Sequence, residues 1–144
     1  MTLLRKETHD KLTIEPQLVG AKLEVALSGT CDSFAVEALG AYLDRVTLEV
    51  RRLSLSQVAI DVTRAALLTS SSLKQLITFL RPVKLGELPC SVEFVVDDRM
   101  PWQRRCLAAL VRMCPKGASL RDINSGAARP SQTPPSAVSK RPPA

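Results

Sequence analysis

Apolar and polar positions along the chain fall into a run of short, alternating elements. Leu12 to Val19 alternates imperfectly and carries Pro16, which suits an edge strand because proline cannot donate to a ladder. Lys22 to Ser28 follows, with Leu23, Val25 and Leu27 interleaved with polar or small residues, the period-two pattern of a half-buried strand. Gly20 between them permits a turn, so the two segments predict a hairpin that ends at Gly29. Past it the period changes. Val36, Leu39, Leu43, Val46 and Val50 recur at steps of three and four, with Glu37, Asp44, Arg45 and Arg51 largely off that stripe. This predicts an amphipathic helix with one core face, opened by Asp32 or Ser33 as acceptor for its free amides. Gly40 lies within it and would let a neighbouring element approach closely.

Gln57 to Val62 is a short apolar, β-branched run, which predicts a central strand covered on both faces. Thr69-Ser70-Ser71-Ser72 then precedes Leu73, Leu76, Ile77 and Leu80, a second helical stripe that stops before Pro82. Ser72 with Gln75 fits a capping box, and the hydroxyls ahead of it are N-cap candidates. Cys90 to Val96 predicts another strand, and Pro101 opens a third helix with Trp102, Cys106, Leu107, Leu110, Val111 and Met113 as its apolar set. Ala118 to Ile123 is a short apolar piece that packs back on the sheet. The order is β-β-α-β-α-β-α. Strands alternating with helices through short connections predict an α/β domain: a mixed sheet of four or five strands, parallel neighbours joined by right-handed crossovers, and helices mainly on one face.

Composition sharpens this picture at the ends. Of the 144 residues, 45% are apolar and 24% charged, a globular balance. Residues 1–11 read as an N-terminal extension and 12–125 as the domain. Residues 126–144, rich in Pro, Ala and Ser, hold too little apolar bulk to bury and read as a disordered basic tail. No apolar run approaches the roughly 18–20 residues that span a bilayer, and the first ten residues lack the apolar stretch of a secretory signal. The expectation is a cytoplasmic protein.

The chemistry the sequence lacks is informative. Cys31, Cys90, Cys106 and Cys114 stand singly, and His9 is the one histidine, so no paired ligand spacing for zinc exists and no metal is expected. No histidine lies near a serine or cysteine of the domain to act as base, and no glycine-rich phosphate loop is present. Asp97-Asp98 is the one adjacent carboxylate pair and fits a strand-to-helix turn. These absences argue against an enzyme and against a resident cofactor. The net charge of +6 includes Arg129, Lys140 and Arg141 of the tail. In the domain the excess falls late, and Arg105 and Arg112, seven apart with Arg104 nearby, give the third helix a basic face. Such a face can be solvated, dock an acidic protein or hold nucleic-acid phosphates. Five aromatic residues are too few for a base-stacking platform, and no helix-turn-helix or zinc-finger pattern occurs.

Three segments carry a family resemblance. Leu27-Ser-Gly-Thr-Cys-Asp32 resembles a strand-ending glycine followed by an Asp at the first helix. Val58-Ala-Ile-Asp-Val-Thr63 resembles a central strand ending in an Asp-x-Ser/Thr step, and Leu67-Leu-Thr-Ser-Ser-Ser-Leu73 an apolar pair leading into the second helix. Together, over about Leu12 to Leu120, they resemble the STAS domain, the bacterial anti-sigma factor antagonist family. Thr69 stands where that family has Asp and Ser72 where it has Gly. A related group of threonine-phosphorylated biofilm regulators carries an Asn-Thr-Ser-Ser step at this place. Both map the phosphorylated residue onto Ser70.

The resemblance implies a non-catalytic signalling module whose partner is an anti-sigma factor or a serine kinase of the histidine-kinase-like ATPase type. It implies a contact surface of Asp32, Thr69, Ser70, Ser71, Ser72 and Leu73. Two other readings stand beside it: a STAS accessory or scaffold that binds a transporter ATPase without a phospho-switch, and a basic nucleic-acid binder. On residues alone, the three serines need do no more than cap the helix.

Overall fold

A computed structural model describes residues 3–124; the tail expectation for 126–144 lies outside the described residues. Nine elements follow in order: β1 (Glu7–His9), β2 (Leu12–Val19), β3 (Lys22–Cys31), α1 (Val36–Leu53), β4 (Gln57–Leu68), α2 (Ser70–Lys84), β5 (Ser91–Val96), α3 (Pro101–Met113) and β6 (Ala118–Asp122). The strands form one sheet in sequence order, β1 to β6. β1, β2 and β3 pair antiparallel, and β3, β4, β5 and β6 pair parallel. Each parallel step crosses through one helix and moves one strand in the same direction. Right-handed crossovers therefore put α1, α2 and α3 on a single face, as expected.

That face is the core. Leu23, Val25 and Leu27 of β3, Val58, Ile60 and Val62 of β4, and Val92, Phe94 and Val96 of β5 are buried under the stripes of the three helices. Opposite it, the sheet forms a trough of about 670 Å³ whose walls include Glu15, Glu24, Asp61, Arg64 and Arg121. No helix among the described residues is long and apolar enough to cross a membrane.

Six strands replace the expected four or five, because residues before Leu12 are not a separate extension. Glu7–His9 pairs with Leu12–Ile14 as an added edge strand, and Leu4 is buried in the core. This segment is clamped to α1 by distant partners. Arg45 holds the Glu7 carboxylate with two bonds of 2.6 and 3.0 Å, and the Tyr42 hydroxyl donates to the Arg5 carbonyl at 3.0 Å. The buried Tyr42 hydroxyl is pushed up to about 12, first by desolvation and then by the Glu7 charge, with Arg45 opposing.

β4 also runs past its expected end at Val62 to Leu68. Its pairing with β3 slips twice, between Ala26 and Ser28 and between Gly29 and Thr30. Each slip inserts a residue, so the buried positions step from Val62 to Ala65 to Leu68 in threes. Asp61 braces the first slip: its Oδ1 accepts from the amide of Thr63 at 2.8 Å and from its hydroxyl at 2.6 Å.

Candidate functional site

The parallel strands bring the two turns singled out in the sequence to one edge of the sheet. Cys31, the last residue of β3, is the Cα partner of Leu68, the last of β4, and the Thr69 amide donates to the Cys31 carbonyl at 3.4 Å. The turn at Asp32 and the start of α2 at Ser70 therefore emerge side by side.

The local caps differ from those expected. Asp32 does not cap α1. Its Oδ1 accepts from the Phe34 amide at 3.0 Å and its carbonyl from Ala35 at 3.1 Å, which closes a turn ahead of the helix. Helix α1 begins after Ala35 with no side-chain cap. For α2 the cap is Thr69, not a serine. Its Oγ1 accepts from the Ser72 amide at 3.3 Å, and the Ser72 hydroxyl donates back to the Thr69 carbonyl at 2.7 Å. The Ser72–Gln75 capping box is absent because this Thr69–Ser72 pair fills the role three residues earlier. Gln75 instead packs over Gly40, where a Cβ would meet its Oε1 at 2.5 Å.

The three serines are thereby sorted. Ser72 is 0% exposed, packed beside the Cys31 thiol, so it is removed from the expected contact surface. Burial raises the Cys31 thiol, against a hydrogen bond from Ser72. Ser70 and Ser71 are exposed on the first turn of α2, with amides that no helical carbonyl can accept. Thr69 and Leu73 are half-buried, and Asp32 is partly exposed.

Two exposed apolar side chains complete this edge: Phe34, which no motif contained, and Leu67, the first of the apolar pair ahead of α2. Phe34 is 82% exposed at the tip of the Asp32 turn, and Leu67 is 50% exposed at the end of β4. Phe34 falls outside the α1 stripe that begins with Val36, a signal that it has no core position to fill.

The third turn on the same edge is fixed by polar contacts. Asp97, at the end of β5, accepts from the Arg99 amide and guanidinium and from Asn124, and these bonds hold its carboxyl well below the usual carboxylate range. Asp97 closes a turn and does not cap α3, whose N-cap is Met100. Of the expected basic face, Arg105 and Arg112 are exposed two turns apart on one side. Arg104 is drawn round to Asp122 at 3.6 Å, so the three do not form one cluster.

Chemically the edge offers two exposed hydroxyls, those of Ser70 and Ser71, at a helix start, and exposed apolar side chains on the neighbouring segments. Among the described residues no group of three or more metal-binding side chains is placed to hold an ion. His9 is hydrogen-bonded to Glu7 on β1, away from these serines in the pairing order.

No protein-family model matches the chain, and no curated protein matches it significantly. Solved structures do. An anti-sigma factor antagonist from Mycobacterium paratuberculosis superposes with a TM-score of 0.59 at 22% identity, over 80% of this chain and 89% of the other. The complex of the diguanylate cyclase SiaD with its activator SiaC from Pseudomonas aeruginosa contains a chain matching with a TM-score of 0.59 at 18% identity, over 81% of this chain and 95% of that one. At these identities the likeness establishes the architecture: this is a STAS-like fold.

Proposed function

We propose that this chain is a non-catalytic, cytoplasmic regulator that binds a protein partner through the edge formed by Asp32, Phe34, Leu67, Thr69, Ser70, Ser71 and Leu73, with Ser70 as the phosphorylated residue. The partner is an anti-sigma factor or a serine kinase of the histidine-kinase-like ATPase type. The observation that carries this reading is the exposure of Phe34 on the Asp32 turn and of Leu67 at the end of β4, at the edge where an exposed Ser70 opens α2. Large apolar side chains grouped in water at one edge favour a protein contact that would bury them. A phosphate on Ser70 would meet the free amides of α2, so the fold tolerates it. It would also add about −1.5 to −2 charge beside that apolar rim, which opposes the contact. The two structural neighbours, an anti-sigma factor antagonist and an activator of another protein, support a role exercised through partners.

The test begins with the partner recovered from the protein's own cytosol, whose affinity is then measured by calorimetry. Ser70→Asp is expected to weaken binding about tenfold or more, and Ser70→Ala to leave it near wild type. Ser70→Ala also leaves stability nearly unchanged, because Thr69 and not Ser70 is the cap. Phe34→Ala is expected to cost about 2 kcal/mol of binding, the scale of an interface anchor. Equal affinities for the two Ser70 variants would refute the switch. Recovery of a transporter ATPase would favour a scaffold instead, and retention of nucleic acid at high salt a basic nucleic-acid binder.

A further inference from the structure

A second surface lies at the opposite end of α2, about 20 Å from Ser70 along the helix axis. The last turns of α2 and α3, with the loops that follow them, frame two hollows of about 530 and 350 Å³ that share Lys84 and Cys114 in their walls. The walls are mainly apolar, from Ile77, Leu80 and Val83 of α2, Leu88 of the next loop, and Met113 and Pro115 at the end of α3. Leu85 and Met113 are 58% and 43% exposed there. The charged residues of the walls are Arg81, Lys84 and Lys116, and among the described residues no carboxylate lines either hollow.

Cations in the last turn of a helix are expected, since they offset the negative end of its dipole. That accounts for Arg81 and Lys84. It does not account for Lys116, which lies beyond α3, nor for two large apolar side chains left in water among these charges.

We infer that this groove docks an amphipathic helix of a partner protein whose apolar stripe is flanked by carboxylates. A helix suits a shallow apolar cleft between helix ends, because residues at i, i+3, i+4 and i+7 enter it together. Acidic flanks suit cations that no wall carboxylate opposes, and they would also steer the encounter. The same charges exclude the chain's own residues 126–144, whose charged residues are Arg129, Lys140 and Arg141. The groove is independent of the Ser70 edge.

The probe is a synthetic amphipathic helical peptide of about 18 residues with a leucine stripe flanked by glutamates, compared with its lysine-flanked twin. Each is titrated into the isotope-labelled full chain and followed by NMR. The glutamate peptide is expected to shift the amides of Leu85, Met113 and Lys116, and to weaken as salt rises from about 0.05 to 0.5 M. The combined variant Lys84→Glu with Lys116→Glu, and separately Leu85→Ser, should each lower its affinity about tenfold. Both change exposed side chains, and an amide spectrum unchanged outside the groove shows that each variant is folded. Ser70→Asp should leave this affinity within about twofold, which separates failure here from failure of the Ser70 reading. No shift at these amides, equal binding of the two peptides, or the same amides shifting with protein concentration alone would each overturn the inference.

Discussion

Gln103 offers the sharpest test of how the functional edge is held in shape. Its side chain is fully buried on α3, yet it touches two other elements. Its Oε1 accepts from the Asp97 amide at 2.9 Å, just past β5, and its Nε2 donates to the Ala65 carbonyl at 3.3 Å, between the two slips of β4. Gln103→Met keeps the volume roughly constant and removes both bonds. Each buried backbone group left without a partner costs about 1–3 kcal/mol. Apolar burial of the new side chain returns about 1–2 kcal/mol. With two such groups the net loss is about 0–5 kcal/mol and centres near 2–3 kcal/mol, a large share of the roughly 5–15 kcal/mol that holds a domain folded. Urea unfolding followed by the fluorescence of Trp102, the one tryptophan, measures it as a lowered midpoint at constant slope.

Gln103→Glu separates the two bonds. The acceptor toward Asp97 survives, while an ionised carboxylate would face the Ala65 carbonyl, and protonation restores a donor. The new carboxyl therefore holds its proton more tightly folded than unfolded. Stability is retained below about pH 4.3 and lost as pH rises above it. A Met variant as stable as wild type or more stable would refute the bridge. A Glu variant equally destabilised at both ends of that range would refute the bond to Ala65.

Two further predictions follow from named contacts. At Gly29, φ is +90° and a Cβ would collide with the backbone carbonyl oxygen of Lys11, so Gly29→Ala should cost about 3 kcal/mol or more. Gly20→Ala, also at positive φ but facing open space, should cost about 1 kcal/mol, and equal losses in denaturant titrations would refute the close approach. Tyr42 is the one tyrosine, so its ionisation can be followed by ultraviolet absorbance, with a midpoint of about 12 when folded and about 10 in denaturant. Between those values the unfolded chain has lost a proton that the folded one keeps, so stability falls as pH rises. A folded midpoint near 10 would place the Tyr42 hydroxyl in water.

The three helices and most of β3 were legible from their periods, while β2 and β5 were legible as short runs bounded by turn residues. β1 was not. Three residues carry no period, and what docks Glu7 is Arg45, 38 positions away. The far half of β4 was hidden because its two slips turn an alternating pattern into steps of three, which mimics a loop or helix. Pro82 predicts a stop, but α2 continues two residues beyond it to Lys84, with Val83 buried. At the candidate site, the pairing of the Asp32 and Ser70 turns followed from parallel topology alone. The identity of the cap did not, since Thr69, Ser70, Ser71 and Ser72 all carry the oxygen a cap needs, and only backbone geometry chooses among them.

That choice bears directly on which hydroxyl a kinase could reach. Ser72 stands four residues before Leu76, on the stripe that continues through Phe79, Leu80 and Val83, so the helical period itself assigns it to the core. A phosphate on Ser72 would have to displace its bond to the Thr69 carbonyl and enter an apolar interior, at the cost of burying charge. Ser70 precedes that stripe and faces solvent on the first turn, where a phosphate meets free amides instead of apolar side chains. The proposed modification therefore needs no unfolding of α2. Its effect falls on whatever binds Phe34 and Leu67, and this is why the affinity of the Ser70 variants, more than their stability, is the quantity that decides the matter.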